Sequence, residues 1–204
     1  MEFDRIYAEV DLGRIEENME AMKEHLRPGT KMYGVVKTDA YGHGAVPVAR
    51  TIDRFVCGYA VATVDEGLKL RRHGIEKEIL SLGPVSAGRY QECLENDISL
   101  PVFEYRRAKE LSDAAAAEGK TAKIHIAVDT GMSRIGLFPD EGSVETVKEI
   151  AELPALRIAG MFTHFARADE ADKTNAGEQY SRFHAFCDAV KAAGVDVPVC
   201  HCSN

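Results

Sequence analysis

A lysine at the end of an apolar run is the residue of this chain best suited to covalent chemistry. Lys37 follows residues 33–36, a short run rich in β-branched side chains that predicts a buried strand, and it opens onto a polar turn. Barrels of parallel strands keep their chemistry at the carboxyl ends of those strands. A lysine amine there can form an ion pair or an imine with a carbonyl compound. A surface lysine that closes a strand is the simpler alternative.

Four other side chains able to bind ligands or move protons stand near the ends of predicted strands. Tyr41 follows Lys37 by four residues, and its hydroxyl can donate to a phosphate or cap the end of the barrel. Arg134 lies just past the fifth predicted strand, where its planar guanidinium suits a carboxylate. His164 ends the sixth strand, and Asn204 follows the seventh.

Short apolar runs alternate with amphipathic stretches along the whole chain. The predicted strands cover residues 32–36, 57–62, 79–82, 98–102, 123–128, 158–163 and 197–200. Helical spacing lies between them, and the first helix, from residue 12, has Asp11 as its N-cap. This alternation predicts an α/β fold with a parallel sheet and right-handed crossovers.

The strand count distinguishes two α/β architectures. No G-x-G-x-x-G follows the first strand, as a doubly wound nucleotide-binding sheet would require. Seven strands instead favour a (β/α)8 TIM-type barrel that lacks its eighth strand. Since Asn204 comes just after the last predicted strand, we expect the chain to be an N-terminal piece whose ring is not closed.

The remaining polar residues near these loops have modest interpretations. Asp39 and Asp129 are each explained equally well as loop-capping carboxylates or as catalytic ones, and His43 as a turn residue. The charges between residues 65 and 72 predict the solvated face of a helix. His125 receives no role.

Composition narrows the class of protein. The 204 residues carry a net charge of −8, which argues against a nucleic-acid or anionic-membrane surface. No run approaches the roughly 18 apolar residues of a membrane span. The N-terminus, Met1-Glu2-Phe3-Asp4-Arg5, lacks the apolar core of a signal peptide, so we expect a cytoplasmic protein.

The five cysteines show no disulfide framework. Cys200-His201-Cys202 has metal-binding residue types, but on a strand the two thiols face one side and the imidazole the other. No second cluster completes four ligands. We therefore expect ordinary strand packing there and no metal.

Four segments resemble the motifs of alanine racemases, which bind pyridoxal 5'-phosphate (PLP) on a (β/α)8 barrel. They are Tyr33-Gly34-Val35-Val36-Lys37-Thr38-Asp39-Ala40-Tyr41-Gly42-His43-Gly44, Val128-Asp129-Thr130-Gly131-Met132-Ser133-Arg134-Ile135-Gly136, Gly160-Met161-Phe162-Thr163-His164-Phe165 and His201-Cys202-Ser203-Asn204. Their order and spacing are close to the family's. The resemblance covers the chain, and it implies that residues 1–204 are the PLP-binding barrel domain, truncated before the last barrel elements and without the C-terminal β domain.

The resemblance also implies a role for each candidate residue. Lys37 would hold PLP covalently and act as the base on the Cα proton of D-alanine. Tyr41 would hydrogen-bond the PLP phosphate, and Arg134 would lie near the PLP phenolate and the substrate carboxylate. His164 would stand beside the cofactor ring, and Asn204 belongs to the strand-seven motif that binds the cofactor.

The resemblance further implies a homodimer that interconverts L- and D-alanine for peptidoglycan synthesis. The second base, a tyrosine, would come from the partner's C-terminal domain, so we expect this piece alone to be inactive or weakly active. The chain has Ala127 where many family members carry a carbamylated lysine. Two alternatives stay open: a serine or broad-specificity racemase, and a barrel that binds PLP without catalysis.

Overall fold

The computed structural model describes residues 6–204, so the N-terminal pentapeptide used above to judge targeting lies outside it. Strands alternate with helices through that range. The strands are β1 (Tyr33–Val35), β2 (Gly58–Val61), β3 (Glu78–Ser81), β4 (Ile98–Val102), β5 (Ala122–Val128), β6 (Leu156–His164) and β7 (Cys200–Ser203). The helices are α1 (Leu12–Glu24), α2 (Lys37–Tyr41), α3 (Ala45–Ile52), α4 (Val64–Arg72), α5 (Tyr90–Glu95), α6 (Tyr105–Ala117), α7 (Glu141–Ala151) and α8 (Thr174–Ala192).

The chain divides into two compact units, Met1–Ile79 and Leu80–Asn204, here called unit one and unit two. None of the helices within residues 6–204 combines the length and the apolar character needed to cross a membrane.

Unit one pairs β1 with β2 in parallel, with Gly34 opposite Tyr59. Tyr59 is fully buried, and its hydroxyl donates to Ala49 O at 2.6 Å. A Cβ on Gly34 would lie 2.8 Å from the Ile52 side chain, so glycine lets α3 pack closely on the strand. α1 begins at Leu12, and the Asp11 carboxylate accepts from the Arg14 main-chain N–H, which confirms the predicted N-cap.

Unit two contains a parallel array in which β4 pairs with β5, β5 with β6 and β6 with β7. Strand order in this unit never reverses, as it would in a doubly wound sheet. One face of these strands buries Leu80, Ala127 and Phe162 against Leu82 and Phe103. The other face packs under the helices, where side chains such as Ile126 and Ile150 are fully buried.

The seventh strand was predicted at the wrong place. It runs over Cys200–Ser203 rather than residues 197–200. Pro198 has no N–H to donate to a ladder, and the first main-chain bond of β6 to this segment runs from Met161 N to Val199 O at 2.8 Å. The apolar spacing of Val197 and Val199 was therefore mistaken for the strand that follows them.

Candidate active site

Lys37 lies at the carboxyl end of β1, where pairing with β2 stops. Val36 is 1% exposed and donates its main-chain N–H to Ala60 O at 3.0 Å, so the chain stays attached to β2 up to the residue before the lysine. The Lys37 side chain is half-buried, and its amine nitrogen lies 5.8 Å from the centre of the Tyr41 ring. An amine and a phenol are thus presented together at one strand end.

The segment given above as helix α2 is a left-handed turn after Lys37. We call Lys37 and the four residues that follow it the Lys37 turn. The φ angles of Thr38, Asp39, Ala40 and Tyr41 are 50°, 55°, 53° and 55°. A hydrogen bond from Ala40 N to Val36 O, 3.0 Å long, closes the turn. L-residues in this conformation cost about 1–2 kcal/mol each, because Cβ crowds the following carbonyl oxygen. Contacts from outside the turn must offset that strain.

Glu66 supplies the first of those contacts. One of its carboxylate oxygens accepts from the Thr38 main-chain N–H at 2.7 Å, and the other accepts from the N–H groups of Ala62 at 2.7 Å and Thr63 at 3.3 Å. Glu66 N donates to Thr63 Oγ1 at 3.4 Å, which completes a capping box at the start of α4. A single carboxylate therefore joins the Lys37 turn to the end of β2.

Asp39 supplies the second contact between the Lys37 turn and residues outside it. Its Oδ1 accepts from Ala45 N at 2.9 Å and from Lys69 Nζ at 2.7 Å. The Ala45 N–H, followed by the Lys69 hydrogen bond, lowers the pKa of the Asp39 carboxyl. Since the Asp39 side chain is 51% exposed, solvent screens the ion pair. Asp39 is thus a loop-capping carboxylate, and the His43 ring, 2.9 Å from Ala40 O, is a turn residue.

The prediction of a solvated face on α4 was wrong for Glu66 and Arg71, which are half-buried, whereas Lys69 is exposed as predicted and also forms an ion pair. Glu66 and Lys69 both bind the Lys37 turn. Arg71 donates to the main-chain oxygens of Ile75 and Lys77, both at 2.7 Å. The Thr-x-x-Glu spacing at residues 63–66 is a capping-box signal and could have identified Glu66 as a bonded residue.

Arg134 lies on a loop of residues 129–136, here called the Arg134 loop. Asp129 is 6% exposed, and its Oδ1 accepts from Gly131 N at 2.9 Å and Ser133 N at 3.0 Å. Gly136 has a φ of 128°, and a Cβ there would lie 2.4 Å from Asp129 N. The buried carboxylate caps this tight loop, while the Arg134 side chain is exposed.

A buried polar network supports the Arg134 loop, and the sequence did not indicate it. The hydroxyls of Thr130 and Thr163 are 2.8 Å apart, and Gln179 Nε2 donates to Thr130 Oγ1 at 3.2 Å. Gln179 Oε1 accepts from Ala166 N at 2.9 Å, and Arg182 donates to Thr130 O at 2.7 Å. The network joins α8 to the loop and to the end of β6 beside His164.

His164 and Asn204 lie at neighbouring strand ends. His164 is half-buried at the end of β6, opposite Ser203 of β7. The next residue, Phe165, donates its N–H to Ser203 O at 2.9 Å. Asn204 is exposed, and its amide donates to Asp169 Oδ1 at 3.4 Å.

His201 belongs to a histidine pair rather than to the strand end. Its ring stacks on Phe162 at 5.4 Å between centroids, and its Nε2 lies 3.0 Å from Nδ1 of fully buried His125. Sequence reasoning missed this pair, because nothing local connects β5 to β7. Across residues 6–204, no three His, Cys, Asp or Glu side chains are grouped so as to hold a metal ion.

The five candidate residues fall into two groups. Lys37 and Tyr41 share the Lys37 turn of unit one. Arg134, His164 and Asn204 follow or end β5, β6 and β7 of unit two, all at carboxyl ends of strands paired in parallel. Each unit thus gathers ligand-binding groups at the end of its strands where β/α barrels bind ligands.

Parallel strands that alternate with helices and carry ligand-binding groups at their carboxyl ends are typical of β/α-barrel proteins. Comparison with known proteins identifies the family: residues 10–204 match the family model "Alanine racemase, N-terminal domain". The alanine racemase of Clostridium novyi is 44% identical over 200 residues, covering 98% of this chain and 51% of that protein. That of Methanococcus maripaludis is 41% identical, covering 98% of this chain and 54% of that protein.

Solved structures agree. Alanine racemase from Clostridium difficile 630 superposes with a TM-score of 0.91 at 36% identity, covering 95% of this chain and 51% of that one. A complex of the same enzyme with cycloserine gives a TM-score of 0.88 at 37% identity, covering 94% and 52%. This chain belongs to the alanine racemase family, and it spans about half the length of the relatives it matches. The predicted TIM-type barrel with seven strands is confirmed.

Proposed function

We propose that the whole protein is an alanine racemase that uses PLP to interconvert L- and D-alanine. This chain would supply its cofactor-binding half. The observation that carries the proposal is the Lys37 turn, which presents the Lys37 amine and the Tyr41 phenol together on a strained backbone. Membership of the alanine racemase family supports the choice of substrate.

The chemistry of the available side chains fits PLP, which carries an aldehyde, a phosphate and a phenolic oxygen on a pyridine ring. Lys37 offers the amine that an aldehyde requires, and Tyr41, 61% exposed, offers a hydroxyl donor for the phosphate. Arg134 offers an exposed guanidinium for an anionic oxygen. When bound, PLP supplies the electron sink that makes the α-proton of an amino acid removable.

The proposed roles are those that the family resemblance implies, and the position of each residue at a strand end supports them. Lys37 would hold the cofactor and move the proton at Cα on one face of the substrate. Tyr41 would bind the phosphate, and the planar guanidinium of Arg134 would orient the substrate carboxylate. His164 would hold the cofactor ring from the end of β6, and Asn204 would contribute to cofactor binding from the end of β7.

Racemisation needs a second acid/base group, because protons leave and arrive on opposite faces of the substrate. Lys37 serves one face. We propose that the whole protein is a homodimer in which a tyrosine from the partner subunit serves the other.

The test compares Lys37→Ala with Lys23→Ala in the whole protein, because Lys23 is an exposed lysine on α1. Conversion of L-alanine and of L-serine is followed by circular dichroism. We expect Lys37→Ala to lower alanine racemisation at least 10³-fold and Lys23→Ala to leave it within twofold. Equal activity of the two variants would overturn the role of Lys37. Faster turnover of serine than of alanine would favour the alternative of a serine racemase. No turnover of either amino acid by the wild-type protein would favour a barrel that binds PLP without catalysis.

A further inference from the structure

The peptide between Lys37 and Thr38 is held at both of its ends. Glu66 accepts from its N–H at 2.7 Å, and the Thr38 hydroxyl donates to its carbonyl oxygen, Lys37 O, at 2.8 Å. The plane of this peptide determines the direction in which the lysine side chain leaves the backbone.

The turn itself provides no acceptor for the Thr38 N–H. The first N–H groups of a helical turn lack partners within it, and this is one of them. A charged acceptor at 2.7 Å makes a strong bond to such a donor. The other Glu66 oxygen is fixed by Ala62 and Thr63, so the carboxylate cannot follow the turn if the turn moves.

We infer that Glu66 is a positioning residue for Lys37, acting through the Thr38 main-chain N–H. The inference rests on the proposed function, because it concerns how the cofactor lysine is aimed. Glu66 touches neither substrate nor cofactor in this account. It keeps four strained residues left-handed and so fixes the Lys37 amine in one place, and a displacement of about 1 Å at a reacting group can cost about 10²-fold in rate.

Glu66→Gln is the informative substitution, because it keeps the shape of the side chain. The amide has one acceptor oxygen, so it can serve Thr38 or the N–H groups of Ala62 and Thr63, but not both sides. Its NH₂ group would face an N–H donor on the side that it fails to serve. We expect the turn to loosen without loss of the fold.

Thr63→Val is the matched control. It removes the other half of the same capping box, the bond from Glu66 N to Thr63 Oγ1, and leaves the Thr38 N–H bonded to Glu66. Both variants weaken the start of α4, so any general loss of helix stability appears in both. Only Glu66→Gln acts on the Lys37 turn.

The experiment uses the whole protein and three readouts. Hydrogen exchange measures the amides of residues 38–42 in the protein without PLP. Borohydride reduction after addition of PLP measures the fraction of chains labelled at Lys37. Steady-state kinetics with L-alanine separates kcat from KM.

For Glu66→Gln we expect exchange at residues 38–42 to rise about tenfold, labelling to fall, and kcat to fall about 10- to 100-fold with KM within twofold. For Thr63→Val we expect faster exchange only in the first turn of α4 and kcat within twofold. Equal exchange and equal kcat in the two variants would overturn the role of Glu66. If the wild-type protein shows neither labelling at Lys37 nor racemisation, the proposed function fails instead.

Discussion

The Lys37 turn and the Arg134 loop both follow parallel strands, but different interactions stabilise their conformations. In the Lys37 turn, four residues other than glycine have positive φ. The carboxylates of Glu66 and Asp39 stabilise them by accepting from the main-chain N–H groups of Thr38 and Ala45. In the Arg134 loop, Gly131 and Gly136 supply most of the unusual φ angles. The buried Asp129 carboxylate, the Thr130–Thr163 hydroxyl pair and the Arg182 guanidinium support that loop.

The Lys37 turn is therefore limited by backbone strain, whereas the Arg134 loop is limited by close packing. The Lys37 turn is costly in itself and depends on charged acceptors in contact with solvent, so it should respond to charge, pH and local conformational preference. The Arg134 loop costs less conformationally, because glycines take two of its three positive φ angles, but Gly136 is packed against main-chain atoms and Thr130 depends on buried hydrogen bonds. It should respond to added atoms and to unsatisfied donors. The predictions below test that contrast from the largest effect to the smallest.

Gly136→Ala should destabilise the protein most. A Cβ would lie 2.4 Å from Asp129 N, a main-chain atom that cannot move aside cheaply. We expect a loss of about 3 kcal/mol or more in the free energy of unfolding, measured by urea titration. Gly119→Ala is the control, because its φ is 63° with no atom within 4 Å of the new Cβ. It should lose only about 1 kcal/mol, and equal losses would mean that collision is not what restricts the Arg134 loop.

Gln179→Leu should be the next most damaging substitution. It is 1% exposed, and its loss leaves Ala166 N and Thr130 Oγ1 without a bond to this side chain in a buried place. We expect a loss of about 2 kcal/mol in urea titrations. Gln91→Leu removes an exposed glutamine bonded to Glu95 and should change stability by less than about 0.5 kcal/mol. A neutral Gln179→Leu would show that the network is dispensable.

Thr38→Asn should stabilise the protein. A β-branched residue is poorly suited to φ 50°, whereas asparagine adopts left-handed conformations more readily. We expect a gain of about 0.5–1 kcal/mol, seen as a higher thermal midpoint. Thr146→Asn is the control, because Thr146 also bonds a main-chain oxygen but lies in right-handed α7. If both substitutions change stability equally, the Lys37 turn is not strained at Thr38.

Asp39 should add a small pH dependence to stability. Its folded pKa is lowered, so its contribution is present above the ordinary carboxyl pKa of about 3.9 and is lost as the pH falls through the lower folded value. The side chain is half-exposed, so the effect should stay below about 1 kcal/mol. The stability difference between wild type and Asp39→Asn, measured by urea titration, should shrink between pH 6 and pH 3.

A second variant separates the two main causes of the lowered Asp39 pKa. The largest single cause is the Ala45 N–H, so Lys69→Met should keep a measurable part of the pH-dependent difference. Complete loss of the difference in Lys69→Met would make the ion pair the dominant contact of Asp39.

The features that local sequence could predict are those with local causes. Apolar runs predicted the ends of β1 and β6 to within one residue, and hence that Lys37 and His164 lie at strand ends, because burial of strands follows periodicity. The Asp11 cap was predictable because aspartate is a preferred N-cap residue and stands directly before an amphipathic stretch. Family motifs then indicated which strand-end residues to consider together.

The features that it could not predict depend on distant partners. Threonine and alanine do not favour left-handed conformations, and two of the contacts that hold the Lys37 turn come from distant residues, Glu66 and Lys69 of α4. From the sequence alone, Gln179 looks like a solvent-exposed residue of a helix, and only the structure shows its bond to Thr130. In each case the deciding contact joins residues at least 28 positions apart.

The most direct measurement of the central claim is peptide mapping of the borohydride-reduced whole protein after incubation with PLP. This account predicts one dominant labelled peptide with the adduct on Lys37, and loss of that label together with the visible absorption band in Lys37→Ala. A stoichiometric label on a different lysine, with the band retained in Lys37→Ala, would contradict it.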